Sequence, residues 1–278
     1  MTREFSGDTL KEMLGKVVLP SDETFLIYSG IWTFGHRFKA LPLEIPRLIL
    51  DAVEEFAGKD RTVLFPAYSY SYNRDRTYDI RNTKPETGVL PETFLHRDGV
   101  RRTHSAINSF LAKGPLADEV VPILGRTLWG ENSLLEWMER SNVRIVTLGL
   151  PWALSCGYLH RMEELAKVPY RYYKDFPGMY RDEGGAWKEW SETMYVRPLG
   201  VPSQFNWHRV NDLMYERRQV LIGSLSGVQI ESCLAKDMVE TGLDLLSQDP
   251  YALIANVGEV KSWIDKGGLE EEIRALKK

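Results

Sequence analysis

His160 and Glu163 stand three residues apart in Leu159-His160-Arg161-Met162-Glu163-Glu164. On a helix that spacing puts both side chains on one face, and Glu164, four residues from His160, nearly joins them. A carboxylate beside an imidazole fixes the ring's tautomer and stabilises its protonated form, which is how a general base is built. The same pair is also a common surface contact, so spacing alone leaves both readings open. Cys156 lies four residues before His160. On the same helix the two would face each other, as a thiolate nucleophile forming an acyl-enzyme requires. Free cysteines are more often buried and inert.

Two further clusters lie upstream. Tyr78-Asp79-Ile80-Arg81-Asn82-Thr83 holds an acid and a base two residues apart. They read either as a charged contact for a ligand or as an ion pair that pins a long loop. Arg102-Thr103-His104-Ser105 precedes a short apolar run. Hydroxyl donors at a strand edge suit a thioester carbonyl or its oxyanion. They serve equally to satisfy the backbone of their own loop.

The elements that must position these residues alternate between strand and helix. Thr24–Ser29, 61–66, 108–112 and 143–148 are short apolar runs and read as buried strands. Between them, helical spacing predicts helices over 8–15 with Asp8 as cap, over 42–57 opened by Pro42, and over 89–95. His160 falls within a helix expected over 154–166, with Ser155 as its cap. After Val168, residues 170–173 and 193–199 look like antiparallel strands. Helices follow over 207–218 and 235–246 and from Val257 onward. Alternating strands and helices argue for an α/β sheet protein, and no linker or repeat divides the 278 residues. One domain over 1–278 is the economical reading.

Composition bounds the function classes. With 39 acidic against 35 basic residues the net charge is −4, so no basic footprint points to nucleic acid. No apolar run approaches the ~18 residues of a membrane span, and the charged start does not read as a signal peptide. Two cysteines build no disulfide framework and fit a reducing compartment. A cytoplasmic protein is expected. No His, Cys or Asp group has metal-ligand spacing.

Taken in order, these clusters resemble the aminoglycoside 3-N-acetyltransferase family, over roughly residues 8–250. The family's strand, loop and His-x-x-Glu helix is similar to the stretch from Gly149-Leu150-Pro151 to Leu165-Ala166. Gly99-Val100-Arg101-Arg102-Thr103-His104-Ser105 is similar to its Gly-Val-x-Arg run, without a His-Pro that the family carries there. Ile27-Tyr28-Ser29-Gly30 to Gly35 resembles its strand-to-loop segment, and Trp129-Gly130-Glu131-Asn132-Ser133 its Gly-x-x-Ser turn.

The resemblance implies an α/β domain around a mixed sheet with flanking helices. It implies an enzyme that moves an acetyl group from acetyl-CoA to an amine of an aminoglycoside or related amino sugar. His160 would be the base and Glu163 its orienting partner, with direct transfer and no acyl-enzyme. Ser105 or Thr103, or a nearby backbone N–H, would steady the oxyanion. Asp79 would hold the cationic acceptor. Ser29, Gly35 and Ser105 would contact the coenzyme. The family's glycine pair is replaced by His36-Arg37-Phe38-Lys39, so Arg37 and Lys39 would take over the phosphates. A nucleotide-linked amino sugar as acceptor, and a non-catalytic ligand-binding relative, are the alternatives.

Overall fold

The computed structural model describes residues 6–34, 43–150, 157–225 and 227–276. Three parallel strands form its centre: β1 (Thr24–Ser29), β2 (Thr62–Pro66) and β6 (Arg144–Leu148), with β1 between the other two. Around them a seven-stranded mixed sheet runs β4-β5-β2-β1-β6-β10-β9, where β4 is Arg101–Arg102, β5 Phe110–Lys113, β9 Leu221–Leu225 and β10 Val228–Leu234. The four outer strands pair antiparallel. The expected mixed α/β architecture is thus present.

Period-two alternation divides the central strands between two apolar layers. Phe25 and Ile27 of β1, Val63 and Phe65 of β2, and Val146 and Leu148 of β6 pack on one side. The layer there is closed by α1 (Gly7–Val17) and α2 (Ile45–Ala57). Leu26, Tyr28, Leu64 and Ile145 pack on the other side, under α6 (Leu134–Arg140), α7 (Tyr158–Leu165) and α9 (Ala235–Gln248). Both faces are covered, so the central strands read as unbroken apolar runs.

A second sheet flanks the first. β7 (Tyr172–Arg181) and β8 (Trp187–Val196) form a hairpin ten residues long on each arm, and β3 (Thr77–Asp79) lies parallel to the end of β7. Short helices α3 (Tyr72–Asp75), α4 (Val89–Phe94) and α5 (Ala117–Val120) join the early strands. Helices α8 (His208–Glu216), α10 (Val257–Asp265) and α11 (Gly268–Ala275) complete the chain.

Several boundaries differ from the sequence expectation. The cap of α1 is Ser6, whose hydroxyl accepts from Thr9 N and whose N–H is met in turn by the Thr9 hydroxyl, so Asp8 sits in the first turn instead. Helix α2 starts at Ile45 with Pro46 in its first turn, and Leu43 is 90% exposed outside it. The strand expected over 108–112 begins two residues later. The antiparallel pair is longer than foreseen and displaced towards the hairpin turn. Helix α7 begins at Tyr158, preceded by Gly157, which offers no capping side chain. Ser155, proposed as its cap, lies outside the described residues, as do Pro42 and Cys156.

Candidate active site

The three parallel strands end on one side of the sheet, and a cleft of about 450 Å³ opens there. In open α/β sheets ligands bind outside the carboxyl ends of the strands, and the volume is within the ~300–1,000 Å³ of small-molecule sites. Ile27, Tyr28 and Ser29 at the end of β1 and Pro66 at the end of β2 line one wall, with Leu150 just beyond β6. His160, from the first turn of α7, faces them with Trp129 and Trp207.

The imidazole is held from behind. Glu163 is fully buried, and its Oε2 lies 3.5 Å from His160 Nδ1. Its Oε1 accepts a 2.8 Å hydrogen bond from the Tyr170 hydroxyl. Arg171, also buried, brings Nη2 to 2.5 Å from Glu163 Oε2 and to 3.0 Å from His160 Nδ1. Oε2 makes no aligned hydrogen bond and is held by charge. Burial alone would raise the Glu163 carboxyl, but Arg171, with help from His160 and Tyr170, holds it below the ordinary value of 4.5. Burial, then the Arg171 charge, pushes His160 below its ordinary 6.5 against the pull of Glu163. The imidazole is therefore neutral at pH 7, the state a base needs.

Aromatic rings fix its orientation. Trp129 lies 4.6 Å from the His160 ring, centroid to centroid, and Phe205 5.7 Å. Arg161, next in sequence, turns away from the cleft and donates to the carbonyls of Trp129 (2.6 Å) and Gly130 (2.9 Å). It thereby anchors the ring that packs on His160. Glu164 does not share the cleft. Its Oε1 accepts from the Thr127 hydroxyl at 2.6 Å, in a separate depression behind Gly130.

The remaining sequence candidates divide. Ser29 joins His160 in the cleft. Thr103 and Ser105 line an adjoining cavity of about 190 Å³ instead. The Ser105 hydroxyl donates to Glu192 Oε2 at 3.2 Å and accepts from Asn108 N at 3.0 Å. The Thr103 hydroxyl accepts from Phe110 N at 2.8 Å. Glu192, buried on β8, also takes the N–H groups of Ala106 (2.6 Å) and Ile107 (2.9 Å). Asn108 borders both hollows.

Asp79 is not among the residues lining the cleft. Its carboxylate closes the 79–82 turn through Arg81 N (2.9 Å), Asn82 N (3.2 Å) and Asn82 Nδ2 (2.9 Å), and pairs with Arg181 at 3.2 Å. The acid in the cleft is Glu86, beside Tyr70 and Asn73. Gly35, Arg37 and Lys39 lie outside the described residues.

Sequence reasoning missed Arg171, Glu86 and Asn108. Arg171 sits in a Tyr-Arg-Tyr-Tyr run that reads as a polar-faced strand, and nothing local marks it as a partner of His160. Glu86 follows Pro85 in a loop with no periodicity to orient it.

Comparison with known proteins adds an independent observation. A family model described as aminoglycoside 3-N-acetyltransferase matches residues 43–247, more than half of the chain. No curated protein matches. Among solved structures, the apoenzyme of aminoglycoside acetyltransferase AAC(3)-IVa superposes with a TM-score of 0.72 at 19% identity, covering 94% of this chain and 97% of that one. AAC(3)-Xa gives 0.73 at 18%, with 88% and 93% covered. AAC-IIIb, solved as a binary complex with CoASH, gives 0.73 at 19%, with 88% and 97% covered. At these identities the superpositions establish a shared fold.

Proposed function

The chain belongs to the aminoglycoside 3-N-acetyltransferase family, enzymes whose acetyl donor is acetyl-CoA, and on that premise we propose that it acetylates an amine of an aminoglycoside or related amino sugar in the cleft at His160. The observation that carries this reading is the neutral imidazole at the cleft wall with a buried carboxylate behind it.

Transfer is direct. The acceptor amine, as the free base, attacks the thioester carbonyl carbon and forms the C–N bond. His160 takes the proton that the nitrogen sheds. The tetrahedral intermediate collapses, the C–S bond breaks, and the thiolate of coenzyme A leaves and receives the proton from the imidazolium. Glu163 orients the ring and offsets its charge while the proton is held.

The described residues fit a thioester arm. Ser29 at the end of β1 and the wall around Leu150 border the cleft beside His160, and Gly30 packs so closely on that wall that a Cβ there would clash with the Leu150 side chain. Arg37 and Lys39 would take the phosphates. Glu86 is in the cleft, so it is the better placed carboxylate for a cationic acceptor, ahead of Asp79. Ser105 and Thr103 act through the loop they brace, and Asn108, which that loop carries into the cleft with His160, is the better placed donor for the oxyanion. The whole chain acts as one acyltransferase domain, since one apolar cluster includes residues of both sheets.

The test is release of free thiol from acetyl-CoA in the presence of an amine panel of aminoglycosides, simple amino sugars and nucleotide-linked amino sugars. Amine-dependent thiol release with any of them supports the reading and identifies the acceptor. A shift in melting temperature without thiol release would mark a binding protein and contradict it.

A further inference from the structure

The contact between Arg171 and His160 bears on which nitrogen of the imidazole carries its proton. A guanidinium has only donors. Arg171 Nη2 lies 3.0 Å from His160 Nδ1, well within hydrogen-bond reach, whereas Glu163 Oε2 is farther from the same nitrogen at 3.5 Å. A hydrogen bond at the shorter contact requires a lone pair on Nδ1, so the neutral ring must carry its proton on Nε2. A base acting through Nε2 needs the opposite arrangement, with Nδ1–H directed at Glu163 and Nε2 open.

The geometry points to Arg171 as a latch: in the free enzyme it holds His160 in the Nε2–H tautomer, and the ring becomes base-competent only when Nδ1 exchanges Arg171 for Glu163. The exchange is a tautomer shift, one proton leaving Nε2 to solvent water and one arriving at Nδ1, with no net change in charge. Arg171 is thus a positioning residue that acts through the imidazole.

The surroundings are consistent with a shared carboxylate. Arg171 is tied at its other end to the Tyr195 carbonyl by Nη1 at 2.7 Å, which fixes the guanidinium beside Nδ1. Charged groups act on His160 from three places: Glu163 on α7, Arg171 just ahead of β7, and Arg197 beyond β8, while the Tyr170 hydroxyl meets Glu163 from behind. Arg197 lies 4.1 Å above the Phe205 ring, and its charge disfavours imidazolium as that of Arg171 does.

The consequence for turnover rests on His160 being the base, but the tautomer can be read without turnover. Nitrogen-15 NMR of histidine-labelled protein distinguishes a protonated from a lone-pair ring nitrogen. The His160 signals are assigned by their loss in His160→Asn. The wild-type protein at pH 7 is expected to show a lone pair on Nδ1 and a proton on Nε2. Arg171→Met removes the donor and should move the proton to Nδ1, raise the titration midpoint of the ring, and carry the acid limb of the kcat/KM profile to higher pH. Arg171→Lys, which keeps a donor, should retain the wild-type tautomer. A proton on Nδ1 in the wild-type protein overturns the proposal, whatever the variants do. If Nε2–H is found and His160→Ala still turns over, the latch stands and the base assignment falls. If Nδ1–H is found and His160→Ala is inactive, the reverse holds.

Discussion

Replacing Glu163 by glutamine removes one charge from the most enclosed ionic cluster of the site while keeping its volume. The wild-type carboxylate has no solvent exposure and sits 2.5 Å from Arg171. Removing one partner of a buried ion pair costs about 3–5 kcal/mol, because the surviving charge stays desolvated. Glutamine can still accept from the Tyr170 hydroxyl, which puts the loss near the lower end, ~3 kcal/mol. At roughly 2–4 °C per kcal/mol for a chain of this size class, Tm should fall by about 6–12 °C. The effect has a defined pH window. The folded-state value of Glu163 lies below the ordinary 4.5, so the carboxylate stabilises the protein fully above pH 4.5. That contribution is lost as pH falls through the lowered folded value. The wild-type protein should therefore lead the variant by the full margin at pH 7, and the margin should close below pH 4.5. Thermal melts of both proteins across this range measure it. A drop of less than ~2 °C at pH 7, or a margin unchanged in acid, refutes the assignment of Glu163 as an ionised partner of Arg171.

Three further outcomes follow from the same description. Arg37→Ala with Lys39→Ala should raise KM for acetyl-CoA and leave kcat largely intact, the signature of losing binding common to ground and transition states; an unchanged KM makes that segment a solvated loop. Cys156→Ser should keep most activity, and mass spectrometry after incubation with acetyl-CoA alone should find no acetyl adduct on this residue; an adduct removed by an amine would favour an acyl-enzyme. Gly149→Ala should cost about 1–3 kcal/mol in denaturant unfolding, because its φ is +71° and a Cβ would stand 2.2 Å from Thr33 Oγ1 and 2.7 Å from Phe34 Cε2; wild-type stability would show that the end of β6 can move aside.

The sheet was legible because its strands are short and buried on both faces. Thr24–Ser29 matches β1 residue for residue, and the expected 143–148 differs from β6 by one position. Strands β9 (Leu221–Leu225) and β10 (Val228–Leu234), at one end of the sheet, escaped notice, since Gln229 and Glu231 break the apolar run. Strands β7 and β8 run further into the hairpin than hydrophobicity suggests, because charged residues such as Lys174, Asp175 and Lys188 occupy its outer positions.

At the site, the His160–Glu163 pair could be read from helical spacing because both residues share one element. Arg171 could not. It reaches His160 only through the turn that follows α7, and its distance in space is set by tertiary packing. The loop hydroxyls have the right chemistry for an oxyanion, but their placement was not legible: Ser105 donates to Glu192, Thr103 accepts from Phe110 N, and the residues their loop delivers to the cleft are Ile107 and Asn108.

The measurement that bears most directly on the account is amine-dependent thiol release by wild-type protein and by His160→Ala, run beside a binding titration with acetyl-CoA. Loss of a positioned general base lowers turnover by ~10²–10⁴. The account predicts a loss of that size with acetyl-CoA binding preserved. A His160→Ala protein that binds acetyl-CoA and turns over at near the wild-type rate would contradict it.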